Sequence, residues 1–275
     1  MKYTKISSPA NPLIKDALKM KQRRSGSRHE AFLIEGPNLV EMAAASPLVE
    51  ISRVFFTGEY ASKKDGSEIL KKLGGKSSLF AEIPVQILSK IAETDSPQGI
   101  VAVGAYKPVA FGEIVIKDVP LLVICDGIQD PGNLGTIIRV SDAVNADAVI
   151  ILPGTCDAFN SKAVRATAGS LFNIPVVYAE TDALVAYLRS KHIKLYVADV
   201  HSDKSLYEAD FRQPAAIALG NEAHGVSEGI LKNADDLLKI PIIGKAESLN
   251  VATAASVCLY EALRQRNFGL GPVGR

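Results

Sequence analysis

The sequence predicts an α/β protein built around a largely parallel sheet, and three observations carry that expectation. Its strand-like segments, such as "LLVIC", "AVIIL" and "AAIAL", are continuous apolar runs and do not alternate, as expected of strands covered on both faces. These runs take turns with segments of helical period along most of the 275 residues. The composition is aliphatic: aromatics make up 6% and tryptophan is absent, which argues against an aromatic-rich all-β design. A 47% hydrophobic and 22% charged balance excludes wholesale disorder, and the length suits one or two domains.

From the N-terminus, "SPANPLIKDALKMKQRR" predicts a short basic helix starting at Asn11-Pro12. "AFLIEG" reads as a strand, "PNLVEMAAA" as a helix opened by Pro37, and "ISRVFFT" as a strand. A Lys-rich helix around 65–73, a strand at "VQILS", a turn at "ETDSPQG" and a strand at "IVAVGAY" follow. Together these predict a basic arm plus a small α/β domain over residues 1–107. Residues 108–118 are expected to be a linker, although "EIVI" is open to a strand reading.

A second domain is expected over residues 119–275. "PLLVICDG" predicts a buried strand, and "NLGTIIRVSDAVNA" a helix with Leu134, Ile137, Ile138 and Val144 on one stripe. Next come a strand at "AVIIL", a helix near 160–168, a strand at "IPVVYA" and an amphipathic helix through Leu188. Strands at "KLYVADV", "AAIALG" and "LLKIPI" precede a last helix from Ser248 to about Arg266.

The net charge of +1 conceals an asymmetry. Residues 1–30 carry +6 and the remainder −5, a basic arm on a mildly acidic body. Such an arm suits contact with a phosphate backbone, and a solubilising tail is its alternative reading. Cys125, Cys156 and Cys258 are far apart, odd in number and without a CxxC pair, so neither a disulfide framework nor a metal site is expected. No apolar run has the length of a membrane span, and a soluble cytoplasmic protein is expected.

The C-terminal "GLGPVGR" matches G-x-G-x-x-G at Gly269, Gly271 and Gly274, but it follows a helix and leaves no room for another. A dinucleotide fingerprint needs a strand before it and a helix after it, so a nicotinamide-type oxidoreductase is not supported. Three other loops each follow a strand. In "DPGNLGTIIR", Asn133 is placed as a helix N-cap, while Arg139 lies off the apolar stripe and reads locally as a solvated surface residue. In "ALGNEAHGVS", Gly220 and Gly225 bracket Asn221, Glu222 and His224, a bend suited to a ligand or to an ordinary turn. In "IPIIGKAESLNVATAASVCLYE", Ser248 and Asn250 crowd the start of a helix rich in small residues, with Ser248 the expected N-cap.

In this order and spacing, "NLGTIIR", "LGNEAHGVS" and "IPIIGKAESLNVATAASVCLYE" resemble the signature motifs of SpoU (TrmH-like) RNA ribose 2′-O-methyltransferases of the SPOUT superfamily. "FLIEGPNLVEMA" and "ETDSPQGIVAV" are similar to the substrate-binding domain that precedes the catalytic domain in the ribosomal-RNA branch. Ala223 stands where the family often has glycine, which requires residue 223 to take negative φ. The resemblance implies a trefoil-knotted catalytic domain, an exception to the rule against knots, threaded by the stretch from about Leu219 onward. It implies S-adenosylmethionine as methyl donor, held by backbone groups of Gly220, Ile240 and Leu249, with Leu219, Ile242 and Val251 lining the adenine pocket. It also implies a homodimer acting on RNA, most simply 23S ribosomal RNA, without a metal. Arg139 would bind a phosphate and stabilise charge on the 2′-oxygen, since an arginine is a poor base. Asn133, Glu222, Ser248 and Asn250 would orient Arg139 and the ribose, and His224 would be a turn residue. A transfer-RNA methyltransferase of the same fold and a non-catalytic RNA-binding or ribosome-assembly protein are the alternatives.

Overall fold

The computed structural model describes residues 2–21, 31–75, 77–107 and 109–268. Residues 22–30 of the basic arm, with Arg23, Arg24 and Arg28, and the three glycines of the C-terminal G-x-G-x-x-G match lie outside the described residues. The chain divides into two units, Met1–Pro108 with Phe159–Asn173, and Val109–Ala158 with Ile174–Arg275.

In the first unit, a short strand β1 (Thr4–Lys5) leads to α1 (Pro12–Lys21), which starts on proline and buries Ile14 and Ala17. Then come β2 (Ala31–Glu35), α2 (Pro37–Ala45), β3 (Val49–Phe56), α3 (Gly58–Ser62), α4 (Lys64–Leu73), β4 (Ser77–Glu82), α5 (Val85–Ile91) and β5 (Ile100–Tyr106). The sheet order is β1-β4-β3-β5-β2, with β5 antiparallel to both neighbours and the other pairs parallel. The expected strand at "VQILS" is the helix α5. Its buried residues are Ile87, Leu88 and Ile91, a spacing of one, three and four that a helix gathers on one face and a strand does not. The strand β4 was not anticipated. "SSLFAE" has too few apolar residues to stand out alone, and it is held by pairing with β1 and β3.

The second unit starts with residues expected to be a linker. Ile114 is buried, and Val109, Phe111 and Ile116 pack on the core of the unit, so this segment is a packed edge and not a free connector. Its end is fastened by the buried Asp147, whose carboxylate accepts from Lys117 N (2.9 Å) and Leu121 N (2.8 Å). Then follow β6 (Leu121–Asp126), α6 (Pro131–Ala143), β7 (Ala148–Ile151), α7 (Ser161–Ala166), β8 (Val176–Tyr178), α8 (Thr181–Ser190), β9 (Lys194–Ala198), β10 (Ala215–Gly220), α9 (Glu228–Leu231), β11 (Asp236–Leu238) and α10 (Val251–Phe268). Of these, α7 belongs to the first unit with the rest of Phe159–Asn173, a segment expected in the second domain. The reason is aromatic packing: the Phe159 ring lies 5.3 Å from Phe32 and 4.8 Å from Tyr106.

The second sheet runs β11-β9-β10-β6-β7-β8 and every pair in it is parallel. All residues of β6 and β7 are buried, as continuous apolar runs require. α10 packs on α6 and β10, and its Ala252 and Ala255 are buried. Among the described residues no helix is long and apolar enough to cross a membrane.

Candidate active site

In a parallel sheet the loops leaving the C-terminal strand ends converge on one side, and ligands bind there. In the second unit, the loops after β9, β10 and β11 enclose a cavity of about 570 Å³. Its wall includes all six residues expected at the methyl donor: Leu219, Gly220, Ile240, Ile242, Leu249 and Val251. The volume is that of a small-molecule pocket. The backbone groups of Ile240 and Leu249 have no hydrogen bonds among the described residues, so they remain available to a ligand.

Glu222, Ser248 and Asn250 line the same cavity. Asn133 is not the N-cap of α6. Asp130 takes that place, its Oδ1 accepting from Asn133 N at 3.0 Å, with Pro131 in the first turn. This releases the Asn133 side chain, whose Nδ2 donates to Glu222 Oε1 at 2.7 Å. Its Oδ1 accepts from Asn250 Nδ2 at 3.0 Å. Three residues from three separate segments, up to 117 positions apart, thus form one relay: Asn250 to Asn133 to Glu222. Ser248 is likewise not a cap. Asn250 caps α10, its Oδ1 accepting from Ala252 N (2.9 Å) and Thr253 N (3.3 Å). One asparagine therefore starts the last helix and anchors the relay.

Arg139 is not brought into this relay. It is exposed on α6 and makes no hydrogen bond or ion pair among the described residues. His224 sits exposed in the turn after Glu222, its backbone N–H donating to Asn221 Oδ1 at 3.1 Å. Ala223 is not among the residues of positive φ, so its departure from glycine carries no backbone strain. The three cysteines are free and buried. Burial pushes the Cys125 thiol far above its ordinary range and those of Cys156 and Cys258 up to about 12, so none is a nucleophile near neutral pH. Among the described residues no group of three or more His, Cys, Asp and Glu is placed to hold a metal.

The model of the SpoU rRNA methylase family matches residues 120–260, which include every loop just described. The chain belongs to the SpoU rRNA methylase family. A second model, the MRM3-like substrate binding domain, matches residues 11–102 of this SpoU methylase. The chain is 34% identical to the 23S rRNA (guanosine(2553)-2′-O)-methyltransferase RlmP of Bacillus subtilis, over 93% of its own length and 97% of that protein's. It is 30% identical to the 23S rRNA (uridine(2479)-2′-O)-methyltransferase of Streptomyces viridochromogenes, covering 90% and 87% of the two chains. Its fold matches the AdoMet-bound rRNA methyltransferase of Sinorhizobium meliloti with a TM-score of 0.86 and 28% identity, over 96% of this chain and 98% of that one.

Two further residues organise the site of this SpoU methylase: Asn221, read from the sequence only as part of the glycine-bracketed bend, and Asp126, which the sequence did not mark. Asn221 Nδ2 donates to Gly127 O at 2.9 Å, and its Oδ1 accepts from the backbone of Ala223 and His224, tying the β10 loop to the β6 loop. Asn in a glycine-bracketed turn is a signal for this role. The buried Asp126 accepts from Ser227 N at 2.7 Å and closes the same loop from its other end. Asp126 stood inside an apolar strand run, where nothing local marks a partner 101 residues away.

Proposed function

We propose that the protein transfers a methyl group from S-adenosylmethionine to a ribose 2′-hydroxyl of 23S ribosomal RNA. The observation that carries this reading is the Asn250–Asn133–Glu222 relay at the edge of the cavity lined by all six expected donor-binding residues. When bound, S-adenosylmethionine supplies an electrophilic methyl group on a sulfonium. The apolar walls at Leu219, Ile242 and Val251 receive the adenine, and the unpaired backbone groups of Ile240 and Leu249 hydrogen-bond to the donor. Asn133 fixes one oxygen of Glu222, so the other is oriented to accept from the ribose. Ser248 lies beside Asn250 and completes the polar edge. The guanidinium of Arg139 binds the neighbouring phosphate and stabilises negative charge developing on the 2′-oxygen. The hydroxyl proton leaves through that phosphate or through water, because a guanidinium does not accept it.

The reading extends to a cytoplasmic homodimer and to a trefoil knot in the second unit. Arg139, exposed and outside the relay, is supplied to a site at the subunit interface. Ile243 at 95% exposure and Tyr260 at 53% offer apolar surface for that contact.

The deciding experiment uses methyl-labelled S-adenosylmethionine with unmodified ribosomal RNA and, separately, transfer RNA. A 2′-O-methyl group blocks alkaline cleavage at its own linkage. Label is expected in alkali-resistant dinucleotides from ribosomal RNA, with the rate reduced about 100-fold or more by Arg139→Ala. Label in mononucleotides means base methylation and refutes the proposal, and label only in transfer RNA refutes the substrate.

The first unit supplies RNA affinity. On α1, Lys15 and Lys19 are exposed one turn apart, on the side opposite the buried Ile14 and Ala17. Replacing both with alanine is expected to raise KM for RNA and to lower the slope of log affinity against log salt by about 1 to 2. The donor affinity stays unchanged. Filter binding across a salt series measures the slope, and an unaltered slope removes α1 from the interface.

A further inference from the structure

The donor cavity carries an uneven charge. Among its described lining residues there is no lysine or arginine, while two carboxylates, Asp199 and Glu222, line it. Glu222 is engaged by Asn133. Asp199 stands directly after β9, the strand between β10 and β11. Those neighbours lead to the expected donor contacts on either side, β10 ending in Gly220 and β11 running into Ile240.

Asp199 is held in place. Its N–H donates to Leu238 O at 2.9 Å, and its Oδ1 accepts from His201 N at 2.8 Å. Its Oδ2 has no partner among the described residues, and the residue is half-buried. A fixed carboxylate with a free oxygen, in a cavity wall without lysine or arginine, favours a cationic ligand. Partial burial strengthens that preference, because screening by water falls.

We propose that Asp199 is a specificity residue that selects the methyl donor by its positive charge. This rests on the reading of the cavity as the donor site. S-Adenosylmethionine carries one more positive charge than S-adenosylhomocysteine; adenine, ribose, ammonium and carboxylate are common to both. In methyl transfer the C–S bond breaks, its electron pair stays on sulfur, the C–O bond forms and the hydroxyl proton departs to phosphate or water. The sulfonium charge is erased, and with it the attraction to Asp199. The same carboxylate that favours donor binding therefore weakens retention of the product.

The test is calorimetric titration of the full-length protein at pH 8. The ligands are S-adenosylmethionine, S-adenosylhomocysteine and sinefungin, whose amine places a positive charge where the sulfonium stands. Asp199→Asn keeps the acceptor for His201 N and the side-chain shape. It is expected to weaken S-adenosylmethionine and sinefungin about tenfold and S-adenosylhomocysteine less than about twofold. Asp199→Glu, which keeps the charge, retains the preference for the cationic ligands. Equal weakening of all three ligands overturns the proposal and makes Asp199 a hydrogen-bonding group for a feature they share. Unchanged affinities overturn it as well. A wild-type protein that binds none of the three defeats the methyltransferase reading itself, and this proposal with it.

Discussion

Gly220→Ala is expected to abolish donor binding and to reduce methyl transfer by more than about 100-fold. A Cβ at position 220 would lie 2.2 Å from Gly225 C, 2.3 Å from Val226 N and 2.5 Å from Gly225 O. All three are backbone atoms, so no side chain can swing away to make room. Relief requires moving the loop that carries Glu222, and that loop is tied at several points. Asn221 and Gly225 exchange two backbone hydrogen bonds of 2.8 and 2.9 Å, Asn221 reaches Gly127, and Asp126 holds Ser227. The substitution either breaks these ties or displaces Glu222 from Asn133, at a stability cost of about 3 kcal/mol. Gly225→Ala is the matched control. Its added Cβ meets nothing within 4 Å, and its φ of +69° costs only about 1 kcal/mol. Calorimetric donor binding and a single-turnover methylation assay on both variants measure the contrast. Near-normal affinity in Gly220→Ala would show that the close backbone approach is not what the site needs.

Arg266→Met is expected to give a large loss of stability in the second unit. The Arg266 guanidinium donates to four backbone carbonyls: Phe211 O at 2.8 Å, Val119 O and Pro120 O at 2.9 Å, and Gln213 O at 3.0 Å. Those carbonyls belong to the segments entering β6 and β10, the two central strands of the sheet. The end of α10 is thereby fastened to the N-terminal edge of the sheet, at the opposite strand ends from the cavity. Gln265 doubles the fastening, accepting from Phe211 N and donating to Ala209 O, both at 2.9 Å. Burial lowers the guanidinium pKa, so the cation pays a desolvation cost that its carbonyl partners offset. Methionine keeps most of the apolar stem and leaves carbonyls unsatisfied, for a loss of about 3 kcal/mol and a melting temperature roughly 6 to 12 °C lower. Arg266→Lys restores the charge without the planar fork and recovers less than half of the loss. Scanning calorimetry gives the midpoints, and donor titration at low temperature should find the affinity preserved. A midpoint within about 1 °C of wild type would mean that the helix end is held by its apolar contacts alone.

How far the sequence reaches is clearest where its local logic competes with distant contacts. The apolar runs at 121–125, 148–152 and 215–219 specify strands buried on both faces, and the parallel sheet contains them all. The glycine-bracketed turn at 220–225 and the crowding of Ser248 and Asn250 before a helix marked two of the loops that line the cavity. At 85–91 the apolar spacing already had the helical period, and only its short length invited a strand reading. Capping is a contest among neighbouring polar groups. Asn133 and Ser248 were reasonable N-caps, and Asp130 and Asn250 occupy those positions.

The amino-acid sequence by itself determined the element types, the buried strands and which loops carry polar residues, because these depend on periodicity and side-chain chemistry within a few residues. Only the tertiary structure decided what those polar residues do. The sheet order places β6 beside β10 and β9 between β10 and β11, which brings Asn133 to a partner 89 positions away and Asp199 into the cavity wall. Hydrogen bonds act over about 3 Å, so their partners exist only once the chain has closed loops of that length.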